Sequence, residues 1–341
     1  MIMTAPRAGF GARLALAAMT LAASLGLHAQ GARAQGAKPA DLGTITVGWT
    51  KTTAGMSVVI AERLAAKHGL KIESVNFNNA VDVTTAMVNG QLDVGLLTSA
   101  HLVRAVETNL DFVQIAGNSR GNVTIIAAKK LGLAPGDWKG LQAATDKKKL
   151  RIASSRGSIN ELLSMATFAQ SGMNVEKDFE LVNIANFAQH AQALRSGEFD
   201  IVFSTEPGGS LMVSEGIGIL FQKPDITPAG SVHTIYTVKR DWLAKNRAKA
   251  KALLATLVEA TAWLNEDAAR TQAEAQKIFP VKPDVLAASL KLNRWDVRLA
   301  IPETQALAKI AAEQKFAKTD VSAQIPAAMD DSLLKELGAD K

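Results

Sequence analysis

Two hydrophobic rhythms take turns along the chain. Short apolar runs alternate with stretches whose apolar residues recur every three or four positions, the marks of buried strands and of one-sided helices. Ile45-Thr-Val-Gly48 predicts a strand. A helix is expected from Gly55 to His68, with Met56, Ile60 and Leu64 on one face and Gly69 as its stop. Val75 to Phe77 predicts a second strand, Val81 to Asn89 a helix closed by Gly90, and Leu92 to Leu97 an apolar third strand.

The same series returns 107 residues later. Leu150 to Ala153, Leu181 to Ile184 and Phe199 to Phe203 predict strands; Ile159 to Gln170 and Gln189 to Ser196 predict helices, the latter stopped by Gly197. At this fixed offset Ile45 matches Ile152, Asn76 matches Asn183, Gly90 matches Gly197, Asp93 matches Asp200 and Thr98 matches Thr205. Only eight of 54 positions are identical, so the order of elements carries the inference more than the count does. The pattern predicts an α/β chain of two lobes on one β-α-β-α-β plan, each a mainly parallel sheet flanked by helices. Asp93 and Asp200, each between a glycine stop and a buried strand, are expected to fix their turns.

In such sheets ligands bind beyond the carboxyl ends of the strands. Those ends carry Trp49, Thr50 and Thr52, then Thr98, Ser99 and His101, in the first lobe. In the second they carry Arg156, Gly157 and Ser158, then Thr205 and Glu206. These eleven residues are the expected ligand-binding set. Hydroxyls and free backbone N–H groups at helix starts favour an anion, and Arg156 offers a planar two-pronged donor for a carboxylate or sulfonate. Several have plainer roles open to them. Ser158 with Glu161 forms a capping box, Trp49 and His101 suit a core, and Glu206 suits a brace within its own lobe.

The first thirty-four residues read differently. Arg7 and Arg13 precede the uncharged run Leu14 to Leu27, and Ala32-Arg33-Ala34 follows. That order matches a secretory signal peptide over 1–34, with cleavage after Ala34 and a periplasmic destination. The apolar run is shorter than the roughly 20 residues a spanning helix needs. The chain holds 38 Lys and Arg against 32 Asp and Glu; without Arg7, Arg13 and Arg33 the basic count is 35, too small an excess to argue for nucleic acid. With no cysteine, a disulfide framework, a thiolate metal site and a cysteine nucleophile are excluded. No Gly-x-Ser-x-Gly elbow occurs, and the five histidines have no metal-ligand spacing. Neither a catalytic constellation nor a cofactor is expected.

Ile45-Thr-Val-Gly-Trp, Val88-Asn-Gly-Gln-Leu-Asp-Val-Gly, Leu150-Arg-Ile-Ala-Ser-Ser-Arg-Gly-Ser, Leu194-Arg-Ser-Gly-Glu-Phe-Asp-Ile and Ser204-Thr-Glu-Pro follow one another in an order that resembles the periplasmic substrate-binding proteins of nitrate-, sulfonate- and taurine-type ABC importers. The resemblance runs from about Ile45 to about Trp263. It implies a type II periplasmic binding fold: a first lobe of 43–125 and 233–341, a second of 126–232, and a hinge of two crossing strands. It further implies that a small, anionic solute is captured by hinge closure and delivered to a membrane permease by a monomer that is not an enzyme. Thr50-Lys51 stands where that family often has a Gln-Pro-like pair, and Ser204 where an aromatic is common. Enzymes of thiamine-pyrimidine type and sensory binding modules share the fold and remain open as alternatives. Helices after Arg240 are expected to return to the first lobe, with Trp242, Leu253, Leu254, Leu257 and Trp263 in its core.

Overall fold

The computed structural model describes residues 40–341; the expected signal peptide lies outside them. Among the described residues eleven strands form two sheets. β1 (Gly43–Thr50), β2 (Leu70–Phe77), β3 (Val94–Thr98), β4 (Phe112–Gly121), β10 (Val232–Lys239) and β11 (Asn293–Trp295) make the first, in the order β11-β4-β10-β3-β1-β2. β5 (Val123–Ala128), β6 (Leu150–Ser154), β7 (Phe179–Asn183), β8 (Ile201–Thr205) and β9 (Gly218–Gln222) make the second, in the order β7-β6-β8-β5-β9.

Each lobe is an α/β unit with a parallel trio, β2-β1-β3 in one and β7-β6-β8 in the other. The expected mainly parallel sheets are realised as mixed ones, because the strands that travel between lobes pair antiparallel. β4 runs into β5 through Asn122 alone, and β10 follows β9 after a longer connection. β10 then lies between β3 and β4, and β5 lies between β8 and β9. Each half of the repeat thus gives its last strand to the other sheet. The chain enters the second sheet at Val123, which pairs with Thr205, so the change of sheet falls three residues before the expected start of the second lobe.

The fixed offset holds for most of the repeat and fails in one strand. β8 lies 107 residues after β3, but Val47 faces Val94 while Ile152 faces Ile201. In the first strand of each lobe the equivalent residues are therefore Val47 and Ile152, two short of the offset, and Ile45 is not the counterpart of Ile152. The connection from that strand to the next is longer in the second lobe: Val47 pairs with Ser74, whereas Ile152 pairs with Leu181. Asp93 accepts hydrogen bonds from the Thr46 N–H (2.8 Å) and Asp200 from the Arg151 N–H (3.0 Å), so both fix their turns as expected. Gly90 and Gly197 stop the preceding helices at φ +74° and +78°, a conformation costly for residues with a Cβ.

Helices cover both faces of both sheets. Helix Arg247–Glu266 buries Leu253, Leu254 and Leu257 against one face of the first sheet. Trp242 and Trp263 are only partly buried: the Trp242 indole N–H donates to Asp93 (2.8 Å), and Arg270 stacks over Trp263. Helices Ala80–Val88, Ser99–Glu107 and Ile301–Glu313 cover the other face. Helix Ile159–Gln170 is buried at every position from Ile159 to Phe168. Met165 and Phe168 enter the second lobe's core, while Ile159, Leu162, Leu163 and Ala166 join an apolar cluster with helices of the first lobe. A helix buried on all sides is expected where two cores meet. No helix among the described residues is long and apolar enough to cross a membrane.

Candidate functional site

The turns expected to carry the site meet at the crossing of the two lobes. Beyond β1 the chain makes a tight 3₁₀ turn over Thr53–Gly55, close enough that the Thr53 N–H donates to the Glu206 carbonyl (3.3 Å) across the lobes. The Thr53 hydroxyl donates to Asn122 Oδ1 (2.6 Å), and Asn122 Nδ2 donates to Thr205 Oγ1 (3.1 Å). Asn122 is buried, adopts φ +71° and links both lobes through its side chain. Thr52 is buried in the same turn, Thr50 is half-buried, and the Trp49 ring packs against Gly55, where a Cβ would collide with it.

A second group lies at the end of β3. Thr98 Oγ1 and His101 Nδ1 share a hydrogen bond of 2.7 Å. Burial pushes the His101 imidazole down to about 4, so it is neutral at pH 7. Its Nε2 is buried with no partner, and so is the Ser99 hydroxyl. Their helix, Ser99–Glu107, packs against helix Ile159–Gln170 of the other lobe. There Asn160 Nδ2 and Ser164 Oγ, four residues apart on one helical face, are also buried without partners, as is Ser154 Oγ at the end of β6. Buried polar atoms are nearly always hydrogen-bonded, and one left bare costs about 1–3 kcal/mol. Five of them lie at the strand ends and in the N-terminal halves of the helices that follow, in both lobes.

Arg156, Gly157 and Ser158 occupy the rim. Ser158 accepts from the Glu161 N–H (3.3 Å) while Glu161 accepts from the Gly157 N–H (2.6 Å), a capping box displaced by one residue. The Arg156 guanidinium is exposed and 3.2 Å from Glu161. It lines a small concavity with Arg104 and Phe316 of the first lobe. While the Glu161 end of this ion pair is buried, the guanidinium end reaches solvent. By the corrected equivalence Lys51 is its counterpart, and it too is exposed.

Glu206 faces elsewhere. Its fully buried carboxylate accepts from the Ser210 N–H (3.2 Å) in the first turn of helix Gly208–Ser214. Burial pushes the carboxyl above its ordinary range, and the hydrogen bonds from Ser210 oppose that shift. The carboxylate lines a cavity of about 800 Å³ between this helix and helix Pro283–Lys291 of the first lobe. Its backbone belongs to the crossing and its side chain to that cavity.

The expected residues therefore fall into three groups, with the Glu206 side chain apart from them. Thr53, Asn122, Ser154, Asn160 and Ser164 were not in the expected set. The shared helical face of Asn160 and Ser164 was a signal in the sequence; Asn122 carried none. Among the described residues no cluster of three or more His, Asp or Glu is placed to hold a metal ion. What these residues offer chemically is a number of neutral, buried polar groups without partners, and two exposed cations, Lys51 and Arg156, near them in the chain.

A model of the NMT1-like family matches residues 38–278. The chain belongs to the NMT1-like family. Over 157 residues this NMT1-like chain is 24% identical to "Putative binding protein YtlA" of Bacillus subtilis (strain 168), spanning 46% of each protein, a little under half of that relative. Its architecture is similar to the alkanesulfonate-binding protein SsuA of Xanthomonas axonopodis pv. citri bound to MOPS, with a TM-score of 0.72 at 21% identity over 87% of this chain and 100% of that one. It is similar to the periplasmic nitrate-binding protein NrtA of Synechocystis PCC 6803, with a TM-score of 0.76 at 18% identity over 86% of this chain and 87% of that one. It is also similar to the periplasmic aliphatic sulphonate binding protein SsuA of Escherichia coli, with a TM-score of 0.67 at 20% identity over 83% and 91%. At such identities the likeness establishes the fold of this NMT1-like protein: the two-lobed periplasmic binding fold.

Proposed function

We propose that the protein is the extracytoplasmic solute-binding component of an ABC import system, that it takes a small anionic organic solute of the sulfonate or carboxylate kind between its lobes, and that it releases it unaltered to a membrane permease. The observation that carries this reading is the set of bare, buried polar atoms contributed by both lobes: Ser99 Oγ and His101 Nε2 from one, Ser154 Oγ, Asn160 Nδ2 and Ser164 Oγ from the other. A solute offering several oxygen acceptors would satisfy donors on both walls at once, and only in the closed form. That differential contact is what drives closure. Neutral donors in a dry site bind an oxyanion without burying a counter-charge, while Arg156 and Lys51 at the rim attract it. Support comes also from the family, the fold, and neighbours named for sulfonate and nitrate binding.

The test is a calorimetric and thermal-shift screen of the chain from Gln35 onward against small sulfonates, carboxylates and nitrate. Binding to the native state raises the melting temperature by mass action. One class is expected to give saturable binding and to be recovered chemically unchanged. The paired change Ser99→Ala and Asn160→Ala, and separately Arg156→Ala, should weaken it at least about tenfold, roughly 1.4 kcal/mol. A solute recovered altered would point to an enzyme, and undiminished affinity in the paired variant would move the site elsewhere.

A further inference from the structure

A cavity of about 230 Å³ lies where both crossing segments meet the outer strand β11, and no expected site residue lines it. Its walls come from Arg120–Val123 on the first crossing, Lys223–Asp225, Gly230 and Ser231 on the second, and Lys291–Arg294. Asn293 projects from β11, is 8% exposed, and has neither side-chain Nδ2 nor Oδ1 hydrogen-bonded. An amide carries two donors and an acceptor, and burying all of it unpaired is rare.

The charges around this amide are unbalanced. Arg120 is held by Glu303 (3.1 Å) and Asp296 (3.6 Å), and Lys223 has Asp225 at 3.9 Å. Lys291 and Arg294, on either side of Asn293 in the chain, have no ion-pair partner among the described residues. Two free cations, a bare amide and a pocket with room for an ion and several waters form an anion site, since a water takes roughly 30 Å³. Val123, Leu163 and Pro224 close its apolar side.

We infer that this hinge cavity binds a small doubly charged oxyanion of the phosphate or sulfate type, held by the Asn293 amide and the Lys291 and Arg294 side chains, independently of the strand-end site. Its residues are separate from those proposed for the solute, so the two readings stand or fall apart.

The experiment titrates inorganic phosphate into the whole chain from Gln35 by calorimetry, against sodium chloride at matched ionic strength. One saturable phosphate site absent with chloride is expected. Affinity should fall at least tenfold in the double variant Lys291→Gln, Arg294→Gln and in Asn293→Ala, and stay unchanged in Ser99→Ala, Asn160→Ala. Lys291 and Arg294 are exposed, so the double variant keeps its fold and decides the matter even if Asn293→Ala unfolds. The inference is overturned by the absence of saturable heat, by equal affinity in the double variant, or by loss of the phosphate site in Ser99→Ala, Asn160→Ala.

Discussion

Asn122 is the residue through which the chain passes from one sheet to the other. It holds a left-handed backbone conformation and ties Thr53 to Thr205 through its amide. Glycine at this position keeps the conformation and loses the ties; alanine loses both. Asn122→Gly is expected to lower unfolding free energy by about 1–3 kcal/mol, from lost buried hydrogen bonds. Asn122→Ala should cost about 1–2 kcal/mol more, from the left-handed backbone. Urea unfolding measures both, and equal effects would mean the backbone is not strained there.

The buried ionisable side chains set the response to pH. His101 and His233 are pushed down to about 4 and about 3 by burial, and His190 is lowered for the same reason. Their folded values lie below the roughly 6.5 of the unfolded chain. The unfolded state therefore takes up protons first, and the stability they contribute is complete above about 6.5 and is lost as pH falls toward 4. Unfolding free energy should drop over that interval, and His101→Gln should flatten part of the slope. Glu206 has the opposite sign. Its folded value is raised, so ionising it costs stability as pH rises past the ordinary carboxylate range. Glu206→Gln should gain stability relative to wild type between pH 4 and pH 7; a constant difference would count against a buried charge.

Helix Ile159–Gln170 shows how much of one element a sequence discloses. Its limits follow from the Ser158 cap and the apolar run, and the structure returns the same limits. That it is buried on all sides was not legible, because periodicity reports one face and this helix has two cores to fill. The Phe168 ring meets Trp138, Phe179 and Phe203 edge-on, with centroids 5.1, 5.2 and 5.5 Å away. Phe168→Ala should cost about 3–5 kcal/mol in chemical denaturation. The strand-end turns of both lobes were likewise legible, since the β3 and β8 turns obey the repeat. The first strand was read two residues out of step because the connection that follows it is longer in the second lobe, which leaves no mark in composition. Only the register of β1 and β6 reveals that Val47 matches Ile152. The bare amides of Asn160 and Asn293 became visible only with packing, because an unmade hydrogen bond is a property of neighbours.

Across the whole molecule the exchange of strands binds the sheets into one body. The first sheet needs β10, a central strand placed far along the chain, whereas the second is built from 123–222 without interruption. A fragment of residues 40–121 should therefore lack helix and strand signal in far-ultraviolet circular dichroism. A fragment of 122–231 should show both, while binding hydrophobic dye at the face of Ile159, Leu162 and Leu163 that the first lobe normally covers. A well-folded 40–121 would mean that β3 and β4 can do without the strand between them.

This arrangement also imposes a timetable. A chain appearing from its amino end delivers the whole second sheet before the first can be completed, so the later-formed half must wait, incomplete, for β10 to arrive. Until then β3 and β4 each present an open edge, and whatever shields those edges during synthesis governs how much of the protein reaches its final form.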